Sequence, residues 1–420
     1  MRRRWLWIVD MVWVLLLAGY AWAGYPIAPF HGDESINIAI SADYHYRYLA
    51  DDLDRLRYSD PPEHPIEQSY RMNDSPLIRY LIGAAWSRAN FTVEDLNAPW
   101  WFAQDYQWNM DNGFYPGDDL LLASRVASTL LLIAGVVGSF LLGAAVAGRP
   151  AAYVASLYFT MNPVILLNGR RAMHEGIHLG FQVFILLIGL LWLQALATPG
   201  GRRWHLPALG ALLGVIAGLG VAGKHTNVLP LAVVLLVIVT FTLVRARHRW
   251  RGALIGLGLV ALTAGVMFLY WNPPLWGDPF VRAWMVASGR AEVLRDQIEV
   301  FDNSYRGSIW LSLQGMWQLV LVGEPMYFET ASWRDNIGGQ IATYETSGWA
   351  GFPYPYYNLA LLPLVALGAW HLRNLHAPAR WLLGAWGLFL LIYVLFMVPL
   401  GWQRYYMPAL PAIGLFAGLG

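Results

Sequence analysis

Apolar blocks alternate with short polar connectors along the 420-residue chain, and two polar stretches are far longer than the rest. The blocks run to about 20 residues, the length a helix needs to cross a hydrocarbon layer of ~30 Å. They predict a first span from Trp5 to about Tyr25, then spans near 119–147, 151–167, 175–197, 206–222, 226–244 and 252–270. Two more follow near 358–371 and 381–399. A last apolar run, 405–420, stops short of a comfortable crossing, as expected of a piece of a longer chain. The expectation is an all-α, polytopic transmembrane helix bundle of about ten spans in one membrane domain over 1–420. Its parts are a first span (1–30), a first outer loop (31–118), a bundle (119–270), a second outer loop (271–357) and C-terminal spans (358–420).

The two long loops carry interfacial patterns of their own. In the first, Ile36, Ile40, Tyr44, Tyr48, Leu49, Leu53 and Leu56 recur at helical spacing, with Asp51, Asp52, Asp54 and Arg55 between them. That predicts an amphipathic helix lying on the membrane surface over about 35–57. Residues 75–90 are apolar but short and contain Arg79, so they read as a second interfacial or re-entrant helix. The second loop is rich in Trp, Tyr, Asn and Gly, and its apolar piece Ile309–Val322 reads as a segment dipping into the interface.

Charge orients this scheme. MRRR ahead of the first span places the N-terminus in the cytoplasm. Ala21-Trp22-Ala23 has the small-x-small form of a signal cleavage site, but the run is long for a signal and many spans follow, so a retained anchor is expected. Both readings leave His31 outside. With 75–90 not crossing, the connectors AGRP, TPGGRRWH and RARHRWRG all fall on the cytoplasmic side, as the positive-inside bias requires. A further basic connector, HLRNLHAPAR, joins the last two full spans.

Composition agrees. Hydrophobic residues are 57% and charged residues 13%, against roughly 25% charged in soluble domains. The 22 Trp and 22 Tyr suit aromatic belts at both interfaces. The absence of cysteine excludes disulfides, zinc–cysteine sites and thiol catalysis. Basic residues form short clusters at loop ends and no continuous face, which argues against nucleic acid.

Candidate chemistry concentrates where the first span ends. In HGDES, Asp33 and Glu34 are adjacent acids able to serve as general bases or hold a cation. The plainer reading is an N-cap and first-turn acid for the helix beginning near Ser35, worth ~0.3–1 kcal/mol each. Arg125, Arg170, Arg171, Lys224 and Arg404 lie at or near the outer ends of spans, where the positive-inside bias disfavours them. Converging on one mouth, they suggest a site for an anion such as a lipid phosphate. The alternative is that each snorkels separately to headgroup phosphates. His174-Glu175-Gly176-Ile177-His178 is a formal H-E-x-x-H, which read literally means an intramembrane zinc metalloprotease. A zinc site needs a third ligand, for which Asp278 is a candidate that nothing marks. Glu175, with His174, reads better as a second acidic contact across the mouth from Asp33 and Glu34.

These features share an order with a known family. An N-terminal span leads into Asp33-Glu34, a polar outer loop leads to Ser75-Pro76-Leu77, and Arg125 opens the next span in ASRVAS. Arg171 and Glu175 stand in the turn GRRAMHEG, Gly223-Lys224 follows, and Arg404-Tyr405 runs on to Pro408 and Pro411. The chain thereby resembles the C-type (GT-C) membrane glycosyltransferases, especially the protein O-mannosyltransferase and aminoarabinose transferase branch. It departs from that pattern where relatives commonly have Asp in the second acidic turn and a Pro-Pro-Leu at 75–77. The resemblance implies an inverting hexosyl- or pentosyltransferase of the plasma membrane. It would move a sugar from a polyprenyl-phosphate donor to a hydroxyl of a protein or glycolipid acceptor on the outer face. It assigns Asp33 as general base, Glu34 as its orienting partner, and Arg125, Arg171, Lys224 and Arg404 as phosphate ligands. No cofactor is required, although a divalent cation at Asp33, Glu34 and Glu175 occurs in related enzymes. A transporter or flippase of lipid-linked sugars is the alternative from another class. It would need a polar path through the bilayer, and the mid-span stretches are almost purely apolar.

Overall fold

A backbone in hydrocarbon can satisfy its N–H and C=O groups only within its own segment, so the apolar blocks become helices. The structure is a computed structural model that describes residues 2–198, 204–301, 305–322, 325–328, 333–353 and 356–420, apart from the side chains of 2–4 and 356. Within these residues every regular element is helical. The arginines of MRRR and residues 199–203 of the connector TPGGRRWH therefore lie outside what is described.

Helix α1 (Arg2–Ala23) leads into the helices of the first long loop, α2 (Gly32–Ile40), α3 (Ala42–Tyr48), α4 (Pro65–Asn73), α5 (Leu77–Arg88) and α6 (Tyr106–Asp111). The bundle follows with α7 (Asp118–Ala147), α8 (Arg149–Met161), α9 (Pro163–Arg170), α10 (His174–Ala197), α11 (His205–Gly223), α12 (Val228–Arg245) and α13 (Trp250–Trp271). The second long loop holds α14 (Pro279–Val300), α15 (Ile309–Met316) and α16 (Arg334–Thr346). Helices α17 (Tyr356–His371), α18 (Ala377–Phe396), α19 (Gln403–Tyr406) and α20 (Leu410–Leu419) complete it.

Seven helices among the described residues are long and apolar enough to cross a membrane, or eight if one bent pair counts as a span. The protein is a multi-pass membrane protein. The count of about ten is approached only by adding α17, 16 residues long, and α20, with 10. Asp10, a charge within α1, is neutralised by Arg149 at 2.8 Å.

The bent pair replaces the straight span expected at 151–167. Helices α8 and α9 meet at 60° because Pro163 has no N–H to give and drives Asn162 into extended backbone (φ −70°, ψ 118°). The fully buried Asn162 side chain then accepts from the backbone N–H groups of Val164 and Ile165, both at 3.0 Å, and starts α9. Replacing Asn162 by Ala should lower stability by ~1–2 kcal/mol, read as a reduced midpoint of thermal unfolding in detergent. Ser at this position should recover part of the loss.

The surface helix expected over 35–57 does not form. It breaks at Ser41 between α2 and α3, and the chain turns away at Asp51, whose φ is 52°. The physical reason is that the polar positions of α3 point inward to partners. Buried Asp43 binds Arg71 at 2.7 Å and Arg79 at 3.0 Å. Buried Arg47 sits 4.4 Å over the Tyr270 ring and donates to its carbonyl, tying the first outer loop to the end of α13. The same network gives Arg79 its partner and accounts for the short, non-crossing α5.

Candidate functional site

The loop after α1 enters α2 through a reciprocal cap. His31 Nδ1 accepts from the Asp33 N–H at 3.1 Å, and Glu34 Oε2 accepts from the His31 N–H at 3.1 Å. The capping role weighed for the acid pair thus belongs to Glu34 with His31. Asp33 remains 24% exposed at its side chain.

Glu34 is fully buried and does more than cap. Arg125 Nε and Nη2 donate to its two oxygens, both at 2.8 Å, and the Ala172 N–H donates to Oε1 at 2.8 Å. Burial alone would raise its pKa, but the Arg125 charge and these hydrogen bonds outweigh burial and hold the carboxyl below the usual range. Through one side chain, the N-terminus of α2 is fastened both to α7 and to the turn before α10.

That turn supplies the opposite wall. Glu175 opens α10 and accepts from Lys224 Nζ at 2.6 Å. Lys224 stands where α11 ends. A Cβ on the preceding Gly223 would collide with Ile177, so only glycine lets the Lys224 turn lie this close to α10. His174 Nε2 contacts the Ser75 carbonyl at 3.2 Å, and the Ser75 hydroxyl accepts from the His225 N–H at 3.0 Å. From the C-terminal part, Arg404 forms an ion pair with Asp33.

Asp33, His174, Glu175, Lys224 and Arg404 all line one cavity of about 470 Å³ where α10 and α12 begin and α11 ends. Arg125 and Arg171, read from the sequence as phosphate ligands beside them, do not line it. Arg125 spends its guanidinium on Glu34. Arg171 is 1% exposed and donates to the carbonyls of Pro29 at 2.9 Å and Tyr327 at 2.8 Å. Arg170 is fully buried and donates to the carbonyls of Ala21 and Tyr20. Arg170 and Arg171 staple α9 and the turn after it to neighbouring elements, and Arg125 ties α7 to Glu34 of α2. Of the cations singled out in the sequence, Lys224 and Arg404 line the cavity.

The residues do not fit a metal ion. Among the described residues no three His, Asp or Glu side chains are grouped as a cation would need. Asp33, Glu34 and Glu175 are instead each paired with a basic side chain. The H-E-x-x-H segment is not arranged as a zinc site either: His178 Nδ1 is 3.0 Å from Asn227 Oδ1, and Asp278 caps α14 by accepting from Val281.

The cavity also has walls the sequence did not announce. Asp74, Arg290 and Gln297 line it, as do Tyr405 and His225. Arg290 and Gln297 come from α14, whose Arg290 reaches Asp74 at 3.5 Å. Their only signal was membership of a long outer loop. Chemically, the cavity sets the partly exposed carboxylates of Asp33 and Asp74 beside the cations Lys224, Arg290 and Arg404, an arrangement suited to a base working beside a bound anion.

No protein-family model and no curated protein sequence matches the chain. Solved structures do. ArnT from Cupriavidus metallidurans bound to undecaprenyl phosphate superposes with TM-score 0.55 at 14% identity, covering 98% of this chain and 59% of that one. The archaeal oligosaccharyltransferase AglB from Archaeoglobus fulgidus, in complex with an inhibitory peptide and a dolichol-phosphate, gives 0.53 at 12% identity over 98% and 50%. An Archaeoglobus fulgidus oligosaccharyltransferase with Zn and sulfate gives 0.54 at 12%, over 97% and 48%. The chain thus spans about half to three-fifths of the length of these proteins. Its fold is that of the GT-C membrane glycosyltransferases, as the sequence resemblance implied.

Proposed function

We propose that this chain, built on the GT-C fold, is an inverting glycosyltransferase that takes its sugar from a polyprenyl-phosphate donor. The acceptor is a hydroxyl on a protein or glycolipid at the outer face of the plasma membrane, with the N-terminus of the chain in the cytoplasm. The observation that carries the reading is the single cavity bringing Asp33, Arg404 and Lys224 together. A lipid phosphate would settle between Arg404 and Lys224, drawing both cations partly away from their carboxylates. Asp33 then takes the acceptor hydroxyl proton while the oxygen attacks the anomeric carbon. The bond from that carbon to the phosphate oxygen breaks, its electron pair leaves with the phosphate, and configuration inverts. Lys224 and Arg404 stabilise the charge that develops on the leaving phosphate. Asp33 returns its proton to water. Arg125 and Arg171 act behind this site, holding Glu34 and the turn before α10.

Membranes containing the chain, supplied with labelled undecaprenyl-phosphate sugar, should release undecaprenyl phosphate and label an endogenous acceptor. At equal amounts of folded protein, Lys224→Met should lower kcat/KM by ~10²–10³-fold, with Lys224→Arg partly active. Full activity in Lys224→Met would remove the phosphate site from this cavity.

A further inference from the structure

The segment His174–His178 leaves a polar feature that the transfer chemistry does not use. Glu175 engages Lys224 through Oε1 only, and its Oε2 is buried without a hydrogen-bond partner among the described residues. His178, one turn further along α10, has a buried and equally unpartnered Nε2. The two side chains are 3% and 2% exposed, and both line the cavity. Buried polar atoms without partners are rare in folded proteins and costly. Two on one cavity wall mark a place that a ligand's donors would fill.

The neighbour of His178 sets what kind of ligand atom fits. Asn227 Nδ2 donates to the Gly220 carbonyl at 2.9 Å, which turns Oδ1 toward His178 Nδ1 at 3.0 Å. Oδ1 is an acceptor, so Nδ1 carries the proton, and Nε2 of the neutral ring presents a lone pair. Two residues that line the cavity therefore carry unpaired acceptors just beneath its surface, a carboxylate oxygen and an imidazole nitrogen.

We propose that Glu175 Oε2 and His178 Nε2 form a subsite that reads hydroxyl groups on the donor sugar. This rests on the transferase reading above. Glu175 holds the ammonium of Lys224 through its other oxygen at 2.6 Å, so a phosphate bound by Lys224 would have Oε2 for a neighbour. The group covalently joined to that phosphate is the sugar, and its hydroxyls supply the protons both acceptors lack. A sugar missing the matching hydroxyl leaves a buried acceptor unpaired, and sites of that kind discriminate far more strongly than apolar pockets do.

The test uses the full chain purified in detergent, with a panel of undecaprenyl-phosphate hexoses and their monodeoxy analogues. At one or two ring positions, loss of the hydroxyl should lower kcat/KM by ~10²-fold or more. His178→Asn keeps an amide N–H for Asn227 but removes the acceptor at Nε2. It should bring the ratio at one of those positions to within ~3-fold, with the thermal midpoint retained. His178→Gln, whose amide oxygen reaches the vacated position, should keep part of the preference. If His178→Asn lowers kcat/KM for every donor by one factor, the subsite is overturned while the transferase stands. The same holds if wild type turns over deoxy donors as well as their parents. If wild type neither binds undecaprenyl phosphate nor turns over any donor, the transferase reading falls and the subsite falls with it.

Discussion

Asp33→Asn should abolish sugar transfer, lowering kcat by at least ~10³-fold, while the protein still folds. A positioned general base contributes typically ~10²–10⁴ in rate, and Asp74, the other partly exposed carboxylate lining the cavity, pairs with Arg290 at 3.5 Å. Glu34 is committed to Arg125 and the Ala172 N–H, and Glu175 to Lys224. A 10³-fold loss corresponds to ~4 kcal/mol of transition-state stabilisation. Stability should change little, because the Asp33–Arg404 pair is about one-quarter and one-fifth exposed at its two side chains. Pairs that water can reach contribute ~0–1 kcal/mol. The Asn amide oxygen still accepts from Arg404, so phosphate binding should survive the change. The measurement is single-turnover transfer from labelled undecaprenyl-phosphate sugar beside a thermal melt of the same preparation. A variant that keeps a tenth of wild-type kcat would remove Asp33 from the role of base.

Much of this site was legible because charges at the outer ends of spans are expensive and therefore conspicuous. Asp33, Glu175, Lys224 and Arg404 all stood out on that ground, and the structure gathers them in one cavity. Arg125 and Arg171 stood out equally and sit elsewhere. Sequence position shows that a cation lies at an outer end. It does not show whether the guanidinium joins the Asp33 cavity or, as here, a buried Glu34 and the carbonyls of Pro29 and Tyr327. The spans themselves were readable from block length, since hydrocarbon thickness dictates it. Their interruptions were not read from block length: 151–167 was expected as one straight span, although the α8–α9 bend has a local cause in Asn162-Pro163. The break at Ser41 has no such local cause. Spacing alone made 35–57 amphipathic, but its polar positions Asp43 and Arg47 turn inward to Arg71, Arg79 and Tyr270. Arg290 and Gln297 were invisible for a similar reason, because a loop helix acquires a role only from what it is folded against.

Glu34→Gln should cost about 3–5 kcal/mol, the usual penalty for leaving a buried charge without its partner. Arg125 is 3% exposed, and its other contact is the Tyr25 carbonyl at 3.4 Å. Arg125→Met alone should destabilise comparably, by stranding the Glu34 carboxylate. The double variant Glu34→Gln, Arg125→Met should recover a large part of the loss, since neither member of the pair is then left charged without the other. The pH dependence separates this account from a packing defect. The folded Glu34 carboxyl is held below its ordinary range, so in the window between the two values the unfolded chain binds more protons. Its contribution is therefore complete above the ordinary glutamate pKa of roughly 4.3 and is lost as pH falls through the depressed folded value. Wild type should lose stability over that acid window, and Glu34→Gln should lose less there, so the gap between their melting midpoints narrows as pH falls. A gap that stays constant with pH would mean that the carboxylate's charge is not what holds α2 in place. Activity should fall with stability in the single variants, because Glu34 joins Asp33 on one side to the Ala172 turn and Glu175 on the other. Loosening that tie lets the base drift from the phosphate it serves, and displacements of about 1 Å at a reacting centre can cost 10²-fold in rate.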